Sequence, residues 1–435
     1  MSKAYRSWDV DQTFLLPPSV QDFVPPEHPC HFVRDLVRDS LDLSAIHASY
    51  DDPRGAAAFH PAMMTALLLY AYTQGIYSSR RIAKACLERL DVQAVTACEK
   101  PDFRTISEFR KRHLTALAGL FLQVLKLCRK AGLVKLGHVA LDGTKIKANA
   151  SKHKAMSYGR MEKAEAELAA EVAGWLKAAE GADKRDDGSF GDKSGDEMPD
   201  WIADKQRRLE KIREAKAALE AEAKAKAAKD AANIHHDDGP RPGRKRKHPR
   251  GVPKPGAQRN FTDPDSRIMI GKDGFVQAYN AQAAVDATAQ IIVAHQLTNT
   301  PADAPSLVPL VMAIKHTFRR GPKEVSADAG YCSEANLAAL RKRKISAYIA
   351  VGRAKHPTRS PKHNGPLARA MAIKLKRGGR RSRYRLRKQL PEPVFGQIKH
   401  ARGFRQFLLR GIKKVSEEWA LICTAHNLTK LMARA

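Results

Sequence analysis

Apolar residues at three- and four-residue steps recur through the first third of the chain and predict helices there. From Thr105 onward they form one stripe, which predicts a single long helix. Thr105 and Glu108 have the spacing of a capping box at its start, and Gly132 follows the last periodic position as a stop. The stripe consists of Ile106, Phe109, His113, Leu117, Leu120, Val124 and Leu127.

Two shorter helices are predicted upstream, over residues 61–72 and 78–90, on either side of Gly75. This arrangement is similar to a helix–turn–helix, and it leaves Arg80, Arg81 and Lys84 exposed. Any helical hairpin shares the pattern. A DNA-reading function and ordinary packing therefore both remain open for this segment.

The periodicity changes at residues 136–150, LGHVALDGTKIKANA, where apolar residues alternate across an Asp-Gly pair. The pattern predicts two strands joined at or near Asp142-Gly143. Residues 155–232 return to helical spacing on both sides of a polar Gly/Asp/Ser-rich stretch and predict an inserted antiparallel helical hairpin. Its two apolar seams are Met161, Leu168, Val172 and Trp175, and Ile202, Leu209, Ile212 and Leu219.

Beyond this insertion the pattern predicts two strands within 275–297, a helix over 303–316 and a strand over 324–328. A further helix begins near Ser333, and another follows Glu392. This order predicts an α/β domain with a mixed sheet whose large insertion lies in an edge loop, where long insertions cost little free energy.

The predicted organisation has four parts. A helical N-terminal domain spans 1–132, and an α/β domain is formed by 133–154 together with 262–435. The inserted helical hairpin covers 155–238, and a basic linker covers 239–261.

The excess of basic residues indicates a negatively charged binding partner. The chain has 77 Lys and Arg against 46 Asp and Glu, a formal net charge of +31. Residues 341–388 contain eighteen Lys or Arg and no acid, interleaved with apolar residues, which predicts a folded basic surface. Residues 239–260 contain eight and no acid, and a solvated linker explains that run equally well. Such surfaces favour a nucleic acid, with an anionic membrane surface as the weaker alternative.

Other features exclude several classes of protein. The six cysteines contain no Cys-x-x-Cys pair, which argues against a disulfide scaffold or a structural zinc site and favours a reducing, cytoplasmic setting. The most apolar run, 56–72, is interrupted by His60, Pro61 and Thr65, so no membrane span is predicted.

Three acidic residues occupy positions that suit metal binding and catalysis. Asp142 and Asp328 each end a predicted strand, although each also suits a turn. Glu392 is the one acid between Glu334 and Glu417, although it also suits a helix start with Pro393 at the first helical position. Three carboxylates holding two Mg²⁺ ions are what in-line phosphoryl transfer requires.

Two other groups compete for this assignment. Asp286 also follows an apolar strand, and the run His235-His236-Asp237-Asp238 contains metal-ligand chemistry but lies beside the basic linker, where a solvated loop is the stronger interpretation. Asn299 and Asp303 are interpreted as helix-start residues without chemistry.

Four stretches together identify a likeness: VALDGTKIKANAS (139–151), AYNAQAAVDA (278–287), SADAGYCSEANL (326–337) and YRLRKQLPEPVFGQIKHARGFRQFLLRG (384–411). The chain resembles bacterial insertion-sequence transposases of the DDE type, in the subgroup with an Asp-Gly-Thr-Lys first motif and a Glu-Pro-Val-Phe-Gly last motif. The helical segment 50–86 takes part in the likeness, which covers most of the chain.

The resemblance implies a ribonuclease-H-like catalytic domain in which Asp142, Asp328 and Glu392 are the metal ligands. Related transposases carry Tyr, two residues, Arg, three residues, Glu, six residues, Lys. Tyr384 and Lys399 match this signature, but four residues separate Arg387 from Glu392, so either Arg387 or Lys388 takes the arginine position. In this interpretation Lys399 holds a phosphate and Tyr384 contacts the terminal nucleotide.

The implied function is metal-dependent cleavage at the element's ends and strand transfer into target DNA, with two Mg²⁺ ions or Mn²⁺ as a substitute. The implied partners are double-stranded DNA, as element ends and target, and a second copy of the chain in a homodimer on DNA. No membrane is involved, and a cytoplasmic, nucleoid-associated location is expected. The alternatives are a non-catalytic nucleic-acid-binding protein, such as a degenerate copy, and a general metal-dependent nuclease.

Overall fold

A computed structural model describes residues 19–50, 57–186, 200–232, 248–271, 274–352 and 365–434. The run 235–238 and the first part of the predicted linker, 239–247, lie outside these residues, as does the polar stretch between the two helices of the predicted insertion. Within the described residues the chain combines many helices with one mixed sheet, so the predicted α/β class is confirmed at this level.

The described residues before the sheet are helical. They form α1 (Pro29–Asp39), α2 (Ser44–His47), α3 (Pro61–Thr73), α4 (Ser79–Glu88), α5 (Leu90–Thr96), α6 (Phe103–Arg112) and α7 (Leu114–Lys130). Helix α3 is apolar on all sides because it is buried on all sides, from Met64 to Thr73. The predicted turn between α3 and α4 is present, with Gly75 in the left-handed region at φ 73°.

The single helix predicted from Thr105 is two helices. The chain turns at His113, where α6 ends and α7 begins, and the cap of α6 is Asp102, whose side chain accepts a hydrogen bond from the Arg104 amide. The apolar period continues through the turn because both helices bury their stripe in the same core. The predicted stop is confirmed, since Gly132 has a φ of 74° and follows α7.

Six strands form the main sheet among the described residues: β1 (His138–Lys147), β4 (Arg267–Gly271), β5 (Gly274–Asp286), β6 (Ile292–Thr298), β7 (Glu324–Ala327) and β8 (Ser346–Ile349). Strand β5 pairs antiparallel with β1 on one side and, on the other, with β4 and then β6. Beyond β1 lie β7 and β8, both parallel to their neighbours. The sheet is therefore mixed, as predicted.

The predicted hairpin at Asp142-Gly143 is wrong. Strand β1 runs straight through this pair, because its antiparallel ladder with β5 continues from Val139 opposite Asp286 to Lys147 opposite Ala278. The ladder supplies hydrogen bonds that a local turn would forfeit, so the turn propensity of Asp-Gly is overridden.

A helical hairpin stands between β1 and β4. It comprises α8 (Tyr158–Asp186) and α9 (Asp200–Ala232), flanked by a small two-stranded sheet of β2 (Ala155–Ser157) and β3 (Gln258–Asn260). Its two helices bury a cluster of their own, centred on Met161, Ile212 and Leu219. The predicted seams are confirmed at these positions and at the buried Val172 and Leu209, whereas the Ile202 side chain lies outside the described part.

The remaining helices cover the sheet: α10 (Leu307–Phe318), α11 (Glu334–Lys342), α12 (Pro366–Gly378), α13 (Leu386–Gln389), α14 (Pro391–Gly396), a π-helical turn (Gln397–Ala401) and α15 (Ile412–Met432). Helix α15 packs against α7, α3 and β6, so the early helices and the sheet share one hydrophobic core. Within the described ranges we find no helix with the length and apolar character needed to cross a membrane.

Candidate active site

The pairing of β1 with β7 places two of the predicted acids side by side. These strands are parallel, with Val139 opposite Val325 and Ala140 opposite Ser326. Asp142 lies two residues beyond the last of these pairs on β1, and Asp328 directly follows the last residue of β7, so both acids lie at the same end of the pair and the charge of Asp328 acts on Asp142. Both side chains are partly buried.

Asp142 lies in an environment that disfavours its charge. Burial raises the pKa of Asp142 from 3.8 to about 6, opposed by a hydrogen bond from the Gly143 amide to Oδ1 at 2.8 Å. The carboxylates of Asp328 and Asp303 raise it further, and Arg387 lowers it. Neighbouring carboxylates of this kind repel one another unless a cation lies among them.

Asp328 is held by the turn that follows it. It caps a short 3₁₀ helix, Ala329–Tyr331, through a hydrogen bond of 2.8 Å from the Gly330 amide to its Oδ1. This turn fixes the Asp328 carboxylate at the carboxyl end of β7.

Glu392 lies in the first turn of α14, which begins at Pro391 rather than Pro393 and packs against β1. Its side chain is 51% exposed, and its Oε1 is 3.4 Å from Nη2 of Arg387. Arg387 is far less exposed, at 15%, and its charge also acts on Asp142. The guanidinium therefore interacts with both carboxylates.

The charges of all three acids act on the hydroxyl group of Tyr384. Burial raises the pKa of the Tyr384 hydroxyl, Arg387 lowers it, and the carboxylates of Asp328, Asp142 and Glu392 each raise it. The Arg387 guanidinium lies 6.0 Å from the centre of the Tyr384 ring. Lys388, one residue further along α13, is exposed.

Lys399 reaches the strand that carries Asp142. Its Nζ donates a 2.7 Å hydrogen bond to the carbonyl oxygen of Lys145 on β1. It does so from the π-helical turn that follows α14 rather than from a continuous α-helix.

The competing acid Asp286 serves the fold. It is fully buried near the opposite end of β1, where its carboxylate accepts hydrogen bonds from the amides of Leu136 at 2.7 Å and Thr288 at 2.9 Å. Both carboxylate oxygens therefore hold local backbone.

Sequence reasoning missed a polar network beside these acids. Asp303, to which the sequence pattern assigns no chemistry, accepts hydrogen bonds through Oδ1 from Asn280 at 2.7 Å, Gln282 at 2.8 Å and Lys145 at 3.2 Å. Tyr331 in turn donates to Gln282 Oε1. The available signal was the two amides, Asn280 and Gln282, within the otherwise apolar run of β5, since buried polar residues need partners.

The acids form an oxygen-rich donor set. Within the ranges given above, no three His, Cys, Asp or Glu side chains stand close enough to hold a metal ion together. Mg²⁺ nevertheless suits such a site, because it commonly binds one or two carboxylates, several waters and the substrate's phosphates. The adjacent Asp142 and Asp328, whose charges repel, fit that mode of binding.

Two family models match the chain. The model described as Transposase domain (DUF772) matches residues 18–112, the early helices, and the model described as Transposase DDE domain matches residues 332–432, which include Tyr384, Glu392 and Lys399. Searches of curated proteins and of solved structures each gave no match.

Proposed function

Because the chain is an insertion-sequence transposase of the DDE type, a polynucleotidyl transferase, we propose that Asp142, Asp328 and Glu392 are its catalytic carboxylates. The observation that carries this proposal is the register of β1 and β7, which sets Asp142 and Asp328 at the same end of the strand pair, together with Tyr384, on which all three acids act. The charges of three acids that are far apart in sequence thus all act on one hydroxyl group.

The strand order supports a ribonuclease-H-like catalytic domain. The mixed sheet β6-β5-β1-β7-β8, antiparallel up to β1 and parallel beyond it, is compatible with that fold. We assign 133–154 and 262–435 to this domain, 1–132 to a helical N-terminal domain, 155–238 to an inserted hairpin and 239–261 to a linker.

DDE transposases generally use a divalent metal, and here we assign Mg²⁺, with Mn²⁺ as a substitute. Asp142 and Asp328 would hold one ion between them, and Glu392 would complete the site for a second. Bound there, the ions would activate water or a 3′-OH and stabilise charge on the scissile phosphate.

The basic side chains around the acids bind the DNA strand. Arg387 lies within reach of Glu392 and Asp142, so we assign it, rather than Lys388, to the arginine position of the family signature. In this account Arg387 exchanges a carboxylate for a phosphate when DNA arrives, because guanidinium binds both in the same planar geometry. Tyr384 contacts the terminal nucleotide, while Lys399 and the exposed Lys388 bind neighbouring phosphates.

The partners follow from the chemistry of transposition. The DNA is double-stranded, at the element's ends and at the target, and the net charge of +31 favours its binding. Two ends must be processed together, so we propose a homodimer on DNA. A cytoplasmic, nucleoid-associated location accords with such a partner.

A cleavage assay tests the catalytic assignment. A labelled duplex carrying the element's own end is incubated with the full chain and Mg²⁺, and nicking and joining are followed on a denaturing gel. Asp142→Asn, Asp328→Asn and Glu392→Gln should each remove nicking, whereas the exposed Asp39→Asn should retain it. If any of the three active-site variants still nicks, that residue is wrongly assigned.

The same assay separates the alternative functions. A general nuclease would cut duplexes of unrelated sequence equally well and would not join strands. A non-catalytic binding protein would shift the labelled duplex on a native gel without nicking it.

A pair of variants tests the choice between the two basic residues. Arg387→Ala should reduce nicking far more than it reduces DNA affinity, because this guanidinium reaches the acids. Lys388→Ala should lower affinity modestly and leave nicking at saturating protein close to wild type. The reverse pattern would transfer the arginine position to Lys388.

A further inference from the structure

Asp303 lies beside the proposed site and is held there firmly. Its Oδ1 is the acceptor of three hydrogen bonds, from Lys145 on β1 and from Asn280 and Gln282 on β5. Lys145 and Asn280 also bond to carbonyl oxygens of the same loop, Lys145 to Pro301 at 3.0 Å and Asn280 to Thr300 at 3.1 Å. The carboxylate therefore has a fixed place and a fixed orientation.

Two glycines make room for this carboxylate between the proposed ligands. A β-carbon on Gly143, the residue after Asp142, would overlap the Gln282 amide and lie 2.9 Å from Asp303 Oδ1. A β-carbon on Gly330, two residues after Asp328, would lie 3.0 Å from Asp303 Oδ2 and 3.0 Å from Asp328 Oδ1. Asp303 thus borders the turn of each acid, and its Oδ2 and Asp328 Oδ1 flank the same small space.

Hydrogen bonding to Asn280 and Gln282 does not by itself require a charged side chain at position 303. An asparagine oxygen could accept the hydrogen bonds from Asn280 and Gln282 equally well. A carboxylate instead adds a negative charge close enough to act on Asp142. Without a cation this placement is unfavourable, because like charges at short range repel. The Lys145 ammonium, 3.2 Å from Oδ1, offsets part of that cost.

From this geometry we propose that Asp303 is a fourth carboxylate of the site, which holds the divalent cation of Asp328 through a bound water on its Oδ2. The three donors on Oδ1 orient Oδ2 toward Asp328, as hydrogen-bonding partners orient ligands at metal sites. This inference rests on the function proposed above and adds to it one residue and the network that supports it.

Cation binding by the full chain without DNA tests this assignment. Mn²⁺ is the probe, and its free concentration is measured by electron paramagnetic resonance. Asp303→Asn should weaken Mn²⁺ binding by about 10-fold to 100-fold, the loss that follows when residues supporting a metal site are changed. The free energy of unfolding of the cation-free variant, measured in urea, should equal or exceed that of wild type, because a repelling charge is removed. The exposed Asp39→Asn is the matched control and should bind as wild type does.

The dependence on salt distinguishes a ligand from a distant charge. The Debye length falls from about 10 Å at 0.1 M salt to about 3 Å at 1 M, so a merely long-range effect of Asp303 would fade. The loss in affinity should persist if Asp303 holds the cation through a bound water. A loss that disappears at high salt would overturn the proposal.

The remaining outcomes separate this inference from the proposed function. If Asp142→Asn and Asp328→Asn weaken Mn²⁺ binding and Asp303→Asn does not, the fourth carboxylate is refuted and the function stands. If none of the three variants changes binding, the proposed metal site itself is wrong.

Should Asp303→Asn fail to fold, Asn280→Ala decides, because it removes a neutral donor that orients the Asp303 carboxylate and leaves the proposed ligands themselves unchanged. Weakened Mn²⁺ binding by that variant supports the proposal, and unchanged binding refutes it.

Discussion

Replacing Asp142 by asparagine tests the electrostatics of the site without any DNA. Burial, with the carboxylates of Asp328 and Asp303 adding to it, raises the pKa of Asp142 from 3.8 to about 6. That difference corresponds to about 3 kcal/mol between the protonated and ionised forms in the folded chain. Since the pKa of Asp142 is higher in the folded chain than in the unfolded chain, ionisation of Asp142 costs no folding stability below about pH 4. Stability is lost as the pH rises through about 6, where the buried carboxylate becomes charged.

Asparagine removes this cost. At about pH 7.5 in a chelating buffer, the free energy of unfolding of Asp142→Asn should exceed that of wild type by about 1 to 3 kcal/mol, the lower figure allowing for solvent screening of a partly exposed group. At about pH 4 the two proteins should be nearly equal. Added Mg²⁺ should reverse the order at the higher pH, because a ligand that binds only the folded wild-type chain stabilises it.

Urea unfolding followed by tryptophan fluorescence measures these differences. Asp39→Asn, at a side chain that is 55% exposed, should show none of them. A variant no more stable than wild type at about pH 7.5 would refute the reasoning, as would a gain of the same size at both pH values.

Three further predictions concern packing and DNA binding. Gly143→Ala should destabilise the fold by about 1 to 3 kcal/mol in urea unfolding, because its methyl group would overlap the Gln282 amide, whereas Gly119→Ala, in open space on α7, should stabilise it by about 1 kcal/mol. Met161→Ala should destabilise the α8–α9 hairpin by about 2 to 5 kcal/mol, so that amide hydrogen exchange becomes faster in these two helices and not in the sheet. Equally faster exchange in the helices and the sheet would contradict a hydrophobic cluster separate from the main core. Replacing the exposed Arg381 and Arg385 by glutamine should flatten the salt dependence of DNA affinity by about one unit of log-log slope for each phosphate that is no longer neutralised, and an unchanged slope would mean that they face solvent.

Much of the fold follows from hydrophobic periodicity. The two strands within 275–297, the strand at 324–327 and the helix beginning after Ser333 lie where the pattern places them. The sequence failed where tertiary contacts override local preference. Asp142-Gly143 suits a turn, yet strand pairing with β5 keeps it extended, and the turn at His113 divides a stripe whose apolar period never breaks. Short edge strands such as β4 and β8 carry too few residues to show a period.

The candidate site can be partly predicted for a similar reason. An acid at the end of a strand, or alone in a basic run, can be recognised along the sequence, and Asp142, Asp328 and Glu392 all stand in such positions. Asp303 cannot be recognised in this way, because its surroundings come from β1 and β5, strands separated from it in the chain. Only the folded structure shows that its carboxylate borders the turns of both acids.

Iron-directed cleavage tests most directly whether the three carboxylates meet at one metal-binding site. Fe²⁺ replaces Mg²⁺ in the full chain, ascorbate and peroxide generate hydroxyl radicals at the bound ion, and the backbone cuts are mapped by mass spectrometry. The account predicts cuts close to 142, 328 and 392 that appear together and are suppressed together by excess Mg²⁺. Cuts near one or two of these positions, or cuts that persist in Asp142→Asn, would contradict it.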